Sequence, residues 1–255
     1  MSVIEFSTDG HVAVITINRP EARNAVNADV ARGIEEAIDR LEEDDSLWLG
    51  ILTGVPPVFC AGADLKEINA GRAPTLQTER GGFAGIVKRV RTKPIIAAAD
   101  GPALAGGTEI CLACDLIVAS TAASFGIPEV KRCLVAAAGG LFRLPRKLPF
   151  NVAMELALTG DPISAARAEH FGLVNRLCEP GAALDTAKEL AGQIEANAPI
   201  AVRASRRVIY AASPGDDSLG WRLSLEGMAE AMASEDMKEG LTAFIEKRPP
   251  SWAGR

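Results

Sequence analysis

A chain of 255 residues, 48% hydrophobic and 24% charged, is long enough for one large domain or a large domain with a smaller appendage. Its formal net charge is −6 and its Lys and Arg are dispersed, which argues against a sequence-independent grip on nucleic acid. No apolar run approaches a bilayer span, no basic-then-apolar leader opens the chain, and five cysteines without framework spacing fit a reducing cytosol.

The opening reads as strands. Val12, Val14, Thr16 and Asn18 alternate with Ala13, Ile15 and Ile17 until Pro20 stops the run. Asn27 suits the N-cap of a helix through roughly Asp44, with Val30, Ile34, Ala37, Ile38 and Leu41 inward and Glu35, Glu36, Glu42 and Glu43 outward. Residues 47–53 predict a short apolar strand. Residues 66–82 are polar, with Gly71, Pro74 and a Gly81-Gly82 pair, and predict a mobile connector or lid. A buried strand is expected at 94–100, a helix from near Gly107 to before Asp115, and strands at 116–119 and 124–125. This alternation is an α/β pattern. Beyond about Leu141, amphipathic helices are expected at 152–158, 184–196, 200–211 and 219–246. The last carries an apolar stripe of Met228, Met232, Met237, Leu241 and Phe244, which either packs on another subunit or closes its own domain.

Several familiar chemistries lack their residues. There is no phosphate loop and no dinucleotide fingerprint, and the two histidines, His11 and His170, accompany no serine in a nucleophile elbow. Cys111 and Cys114 form a CxxC within an apolar helical stretch with no second pair, and read as packing residues.

Two small-residue turns are more informative. Residues 59–65, Phe-Cys-Ala-Gly-Ala-Asp-Leu, follow a strand and can leave N–H groups pointing into open space. Residues 101–109, Gly-Pro-Ala-Leu-Ala-Gly-Gly-Thr-Glu, follow another strand and open a helix, whose first N–H groups lack partners. Two such turns could jointly serve one developing oxyanion. Glu109 and Glu129 are acids in poorly polar stretches, and two acids near one site suggest acid–base work.

With residues 123–129, Ala-Ser-Phe-Gly-Ile-Pro-Glu, the opening Asn18-Arg-Pro-Glu-Ala-Arg-Asn-Ala and the closing Phe244-Ile-Glu-Lys-Arg, these stretches resemble the crotonase (enoyl-CoA hydratase/isomerase) superfamily along the whole chain. The resemblance implies an α/β spiral of ββα units over residues 1–195 and a helical oligomerisation segment over 196–255, giving a homotrimer or a dimer of trimers. It implies an acyl-CoA substrate, with CoA belonging to that substrate and neither a metal nor a redox cofactor. The amides of Ala63 and Gly106 match the family's oxyanion hole, and Glu109 and Glu129 match its two hydratase glutamates. Ala61, Asp64, Leu65 and Lys66 match positions near the CoA adenine and phosphates, and Lys247 one that reaches CoA from a neighbouring subunit. Ala137 stands where the family often has a glycine that helps to place the water, and Cys133 replaces another common glycine, where it either reshapes the acyl pocket or simply packs. Residues 140–146, Gly-Leu-Phe-Arg-Leu-Pro-Arg, resemble hydratases of varied substrates, carnitine-related acyl groups among them. The expectation is hydration of a 2-enoyl-CoA by a cytoplasmic enzyme, with a double-bond isomerase or a non-catalytic acyl-CoA-binding subunit as alternatives.

Overall fold

The computed structural model describes residues 2–132, 134–212 and 233–255. Strands β1 (Ile4–Asp9) and β2 (Val12–Ile17) form an antiparallel hairpin, and helix α1 (Ala28–Glu43) follows. The side chain of Asn27 accepts the Val30 N–H at 2.9 Å, the expected N-cap. At the other end of α1, the almost fully buried Lys93 donates to the carbonyls of Leu41 at 2.7 Å and Asp44 at 2.8 Å.

Strands β3 (Leu49–Gly54), β6 (Ile95–Ala99), β8 (Leu116–Ser120) and β11 (Arg176–Cys178) extend the hairpin into a six-stranded sheet of order β1-β2-β3-β6-β8-β11, parallel from β2 onward. Strands β3 and β6 are buried throughout, as parallel strands covered on both faces must be. Their side chains still alternate. Leu52, Ile95 and Ala97 enter the main core with the α1 stripe, whereas Leu49, Ile51, Ile96 and Ala98 meet Ala187 and Ala191 of helix α7 (Ala183–Glu195) on the opposite face.

Residues 66–82 are more structured than a bare connector. Helix α2 (Leu65–Asn69) and a 3-10 turn (Ala73–Leu76) lead to a ribbon of β4 (Gln77–Thr78) and β5 (Gly82–Phe83). Leu76 is buried, and Arg80 and the Gly81 N–H hold Asp39 and Glu35 of α1.

A smaller sheet builds the site. Strands β7 (Ala103–Leu104) and β9 (Ser124–Gly126) run parallel, and β10 (Ile163–Ser164) pairs antiparallel with β9. Helix α3 (Gly106–Ala113) leaves β7, as expected. Helix α4 (Gly140–Lys147) includes Pro145 and was not anticipated; α5 (Phe150–Thr159), α6 (Ala165–His170) and α8 (Pro199–Ala212) follow or flank the expected segments. Of the long closing helix, α9 (Glu235–Glu246) is present; Met228 and Met232 lie outside the described residues, as do the side chains of Met237, Leu241 and Phe244. Among the described residues no helix is long and apolar enough to cross a membrane. Cys111 and Cys114 are free and fully buried, which fits packing.

Candidate active site

The two small-residue turns interlock. The main chain around Ala63 pairs with Val26 as an isolated parallel bridge, with Val26 N–H donating to Gly62 O at 2.8 Å and Asp64 N–H to Val26 O at 2.9 Å. That pattern uses the groups flanking Ala63, so its own N–H faces away from Val26. Gly62 has a φ of 92°, and a Cβ there would lie 2.8 Å from Ala105 Cβ and 3.0 Å from Gly106 N. Only a glycine lets the first turn approach the second so closely. The second turn is strained: Ala105, which precedes α3, holds φ 53° and ψ −126°, pinned by its N–H to Gly126 O at 2.9 Å. Among the described residues, neither Ala63 N nor Gly106 N donates to any acceptor within the chain. Two neighbouring amides are therefore free for one ligand oxygen, and the Phe83 ring packs directly over Gly106.

Glu109 lies in the first turn of α3, only 3% exposed. Its Oε1 accepts the Gly140 N–H at 2.9 Å. Burial pushes its carboxyl up to about 7; the Gly140 N–H, the Ala138 main chain and the charge of Arg143 oppose this, and the charge of Glu129 adds to it. Glu129 stands in the 3-10 turn Pro128–Arg132. Burial raises its carboxyl too, opposed by a hydrogen bond from its own main-chain N–H and by the charge of Arg132, and its buried Oε2 has no hydrogen-bond partner. The structure thus brings the two expected acids into one another's field, Glu109 held by main-chain donors and Glu129 with one buried oxygen unpaired.

The remaining expected residues divide. Leu65 is 50% exposed and Lys66 is exposed at the start of α2, beside the half-buried Ala61. Asp64 instead turns inward: it accepts Arg19 Nη1 at 2.8 Å and caps α2 through the Lys66 N–H at 3.0 Å. Ala137 is exposed, and its N–H is engaged by Val135 O at 2.8 Å, within its own loop. Cys133 lies outside the described residues. Lys247 is exposed just beyond α9, and its expected contact is with another copy of the chain.

The residues that sequence reasoning missed are those that hold the first turn. Asn24 is fully buried at φ 54°; its side chain donates to Val55 O at 2.9 Å and Val58 O at 2.6 Å and accepts the Arg19 N–H at 2.9 Å. The adjacent Arg23 O accepts the Ala61 N–H at 3.1 Å. The signal was the polar Asn18–Ala25 stretch, which lies between two regular elements and has no periodicity to explain it.

Residues 7–255 match the family model described as enoyl-CoA hydratase/isomerase. The chain is 39% identical over 258 residues to a carnitinyl-CoA dehydratase of Proteus mirabilis, covering 99% of this chain and 98% of that protein. It is 39% identical over 245 residues to a short-chain-enoyl-CoA hydratase of Clostridium acetobutylicum, covering 94% and 93%. The crystal structure of an enoyl-CoA hydratase from Mycobacterium tuberculosis superposes with a TM-score of 0.96 at 48% identity, covering 100% of both chains.

Proposed function

The chain belongs to the enoyl-CoA hydratase/isomerase family, and from that premise we propose that it is an enoyl-CoA hydratase, reversibly adding water syn across a trans-2-enoyl-CoA to give a 3-hydroxyacyl-CoA. The observation that carries this reading is the buried Glu109, on the helix that opens at the unengaged Gly106 amide, with the half-buried Glu129 in its field.

The thioester carbonyl accepts from Ala63 N–H and Gly106 N–H. As a water oxygen bonds to C3, the C2–C3 π electrons move toward that carbonyl, and the two amides stabilise the enolate-like charge. Glu109 takes the proton from the water. Its carboxylate is held by the Gly140 N–H, and a base near 7 is matched to neutral pH. Glu129 gives a proton to C2; a half-buried carboxyl whose buried Oε2 has no partner suits the protonated role. The net change is one water added, and proton exchange between the two carboxyls resets the site. The hydrating pair needs no cofactor beyond the CoA carried by the substrate.

Leu65, Lys66 and Ala61 form the CoA-facing edge in this reading, with Lys247 contributed by a neighbouring copy and Asp64 bracing the edge through Arg19. Ala137 occupies the position that the family resemblance ties to placing the water, and Cys133, outside the described residues, the one it ties to the acyl pocket. The reading includes a homotrimer or a dimer of trimers assembled with the help of residues 196–255. Outward apolar residues support assembly: Phe150, Met154 and Leu158 form a stripe on α5, 71%, 41% and 71% exposed.

Loss of the conjugated thioester absorbance of crotonyl-CoA tests the reaction. Glu109→Gln and Glu129→Gln should each lower kcat by on the order of 10²–10⁴-fold while acyl-CoA binding persists. Full activity in either variant sinks the mechanism. Conversion of a 3-enoyl-CoA without hydration would replace it with isomerisation, and binding without turnover in the wild type would replace it with an acyl-CoA-binding role.

A further inference from the structure

Arg143 is half-buried in the second turn of α4, yet among the described residues no carboxylate lies within ion-pair distance of it. Its guanidinium goes to main-chain oxygens instead: Nη2 donates to Val87 O at 2.6 Å and Nη1 to Ala138 O at 3.4 Å. Val87 belongs to the segment after β5, and Ala138 to the loop that opens α4. One side chain therefore ties two separate stretches together.

The loop so tied is the one that holds Glu109. Gly139 has a φ of 111°, and a Cβ there would run into Arg143 Nη1, so the guanidinium forms the wall against which this turn folds. The next residue, Gly140, donates its N–H to Glu109 Oε1 at 2.9 Å. We propose that Arg143 is a positioning residue for Glu109: its fork fixes the Ala138–Gly140 turn that presents the N–H, and its positive charge balances the carboxylate. This rests on the hydratase reading, in which Glu109 is the base.

Withdrawing a cation from water without a paired anion costs stability, so a purely structural rivet would be better made from a neutral side chain. The carboxylate whose charge reaches Arg143 is that of Glu109, and the other titratable groups in its field are Tyr210, Arg146 and Arg91. Glu109 is faced in turn by Glu129 and Arg143. Removing Arg143's charge leaves the ionised Glu109 with burial and Glu129 against it, so its affinity for a proton rises.

The test compares Arg143→Met, which keeps the length but loses both charge and fork, with Arg143→Lys, which keeps the charge but cannot bridge two carbonyls in one plane. In crotonyl-CoA hydration, R143M should lower kcat by on the order of 10²-fold with KM little changed. The acid limb of its kcat/KM profile should move to higher pH. R143K should lose kcat while its acid limb stays at the wild-type position. Wild-type kcat in R143M, or a loss of kcat with an unmoved acid limb, overturns the proposal. Should R143M fail to fold by circular dichroism, wild-type kcat in R143K overturns it as well. Carboxyl ¹³C NMR titration of Glu109, assigned through E109Q, reads the same shift without turnover. A wild type that hydrates nothing would then sink the reaction, while an identical Glu109 titration in wild type and R143M would sink the role of Arg143.

Discussion

Glu109 shows what a buried acid costs at the residue scale. Its folded-state proton affinity lies near 7, against an ordinary value near 4.5. Because the folded value is the higher one, its protonated form contributes stability fully below pH 4.5, and that contribution is lost as pH rises through about 7. The ionised carboxylate then costs up to about 3 kcal/mol. A glutamine keeps the acceptor for Gly140 N–H and never ionises. Glu109→Gln should therefore melt higher than the wild type at pH 8, with the gap closing at pH 5 in thermal denaturation; an equal gap at both pH values would contradict the assignment. The two acids were legible because carboxylates are out of place in apolar stretches. Their partners were not, since Gly140 and Ala138 act through the main chain, which leaves no trace in residue type. Asp64 shows the converse: an acid at a recognised position turned out to be engaged inside, by Arg19 and by α2.

At the scale of elements, α3 is used at both ends. Its start supplies Gly106 and Glu109; its end is held by Arg91, whose Nη2 donates to Ala113 O at 2.6 Å. Asp115, just beyond, accepts Arg91 Nη1 at 2.5 Å, Arg206 Nε of α8 at 2.8 Å and the Ile95 N–H at 2.7 Å. This largely buried carboxylate, its side chain 12% exposed, thereby joins β6, α3 and α8. Burial works against its charge, but Arg91 and Arg206 prevail and hold it below the usual carboxylate range. Its contribution is present above the unfolded value of about 4 and is lost as pH falls through the folded one. Asp115→Asn should cost about 3–5 kcal/mol at neutral pH, because two guanidinium groups lose their anion. Urea melts of wild type and D115N should converge in acid. Long periodic helices and apolar parallel strands were readable in advance. The two-residue strands β4, β5, β7 and β10 were not, because so short a run has no period, and α4 is an eight-residue helix with Pro145 inside it, which carries little helical signal.

For the molecule as a whole, the open question is what covers α5. Three large apolar side chains at four-residue spacing would be idle in a monomer, since the opposite face, with Val152, Ala153 and Leu156, already packs into the core. Light scattering should report a trimer or a multiple of it. Replacing Phe150 and Leu158 by glutamate should lower the mass if this stripe joins the assembly; an unchanged mass would remove α5 from the interface. The fold class was legible from strand–helix alternation, but the sheet order and the interlocking of two turns some forty residues apart were not, because they arise from crossovers rather than from local pattern. Those turns also bear on heredity. Both donors of the hole are peptide N–H groups, so no exchange of side chain at Ala63 or Gly106 deletes a donor; only proline can, by removing the hydrogen itself. Short of proline, substitution reaches this site through space and scaffolding: at Gly106, where a Cβ would lie 2.4 Å from the Phe83 ring, and at Asn24, Gly62 and Ala105. The trait is inherited as the curvature of two loops, and at the second of them the Phe83 ring also keeps the tip a glycine.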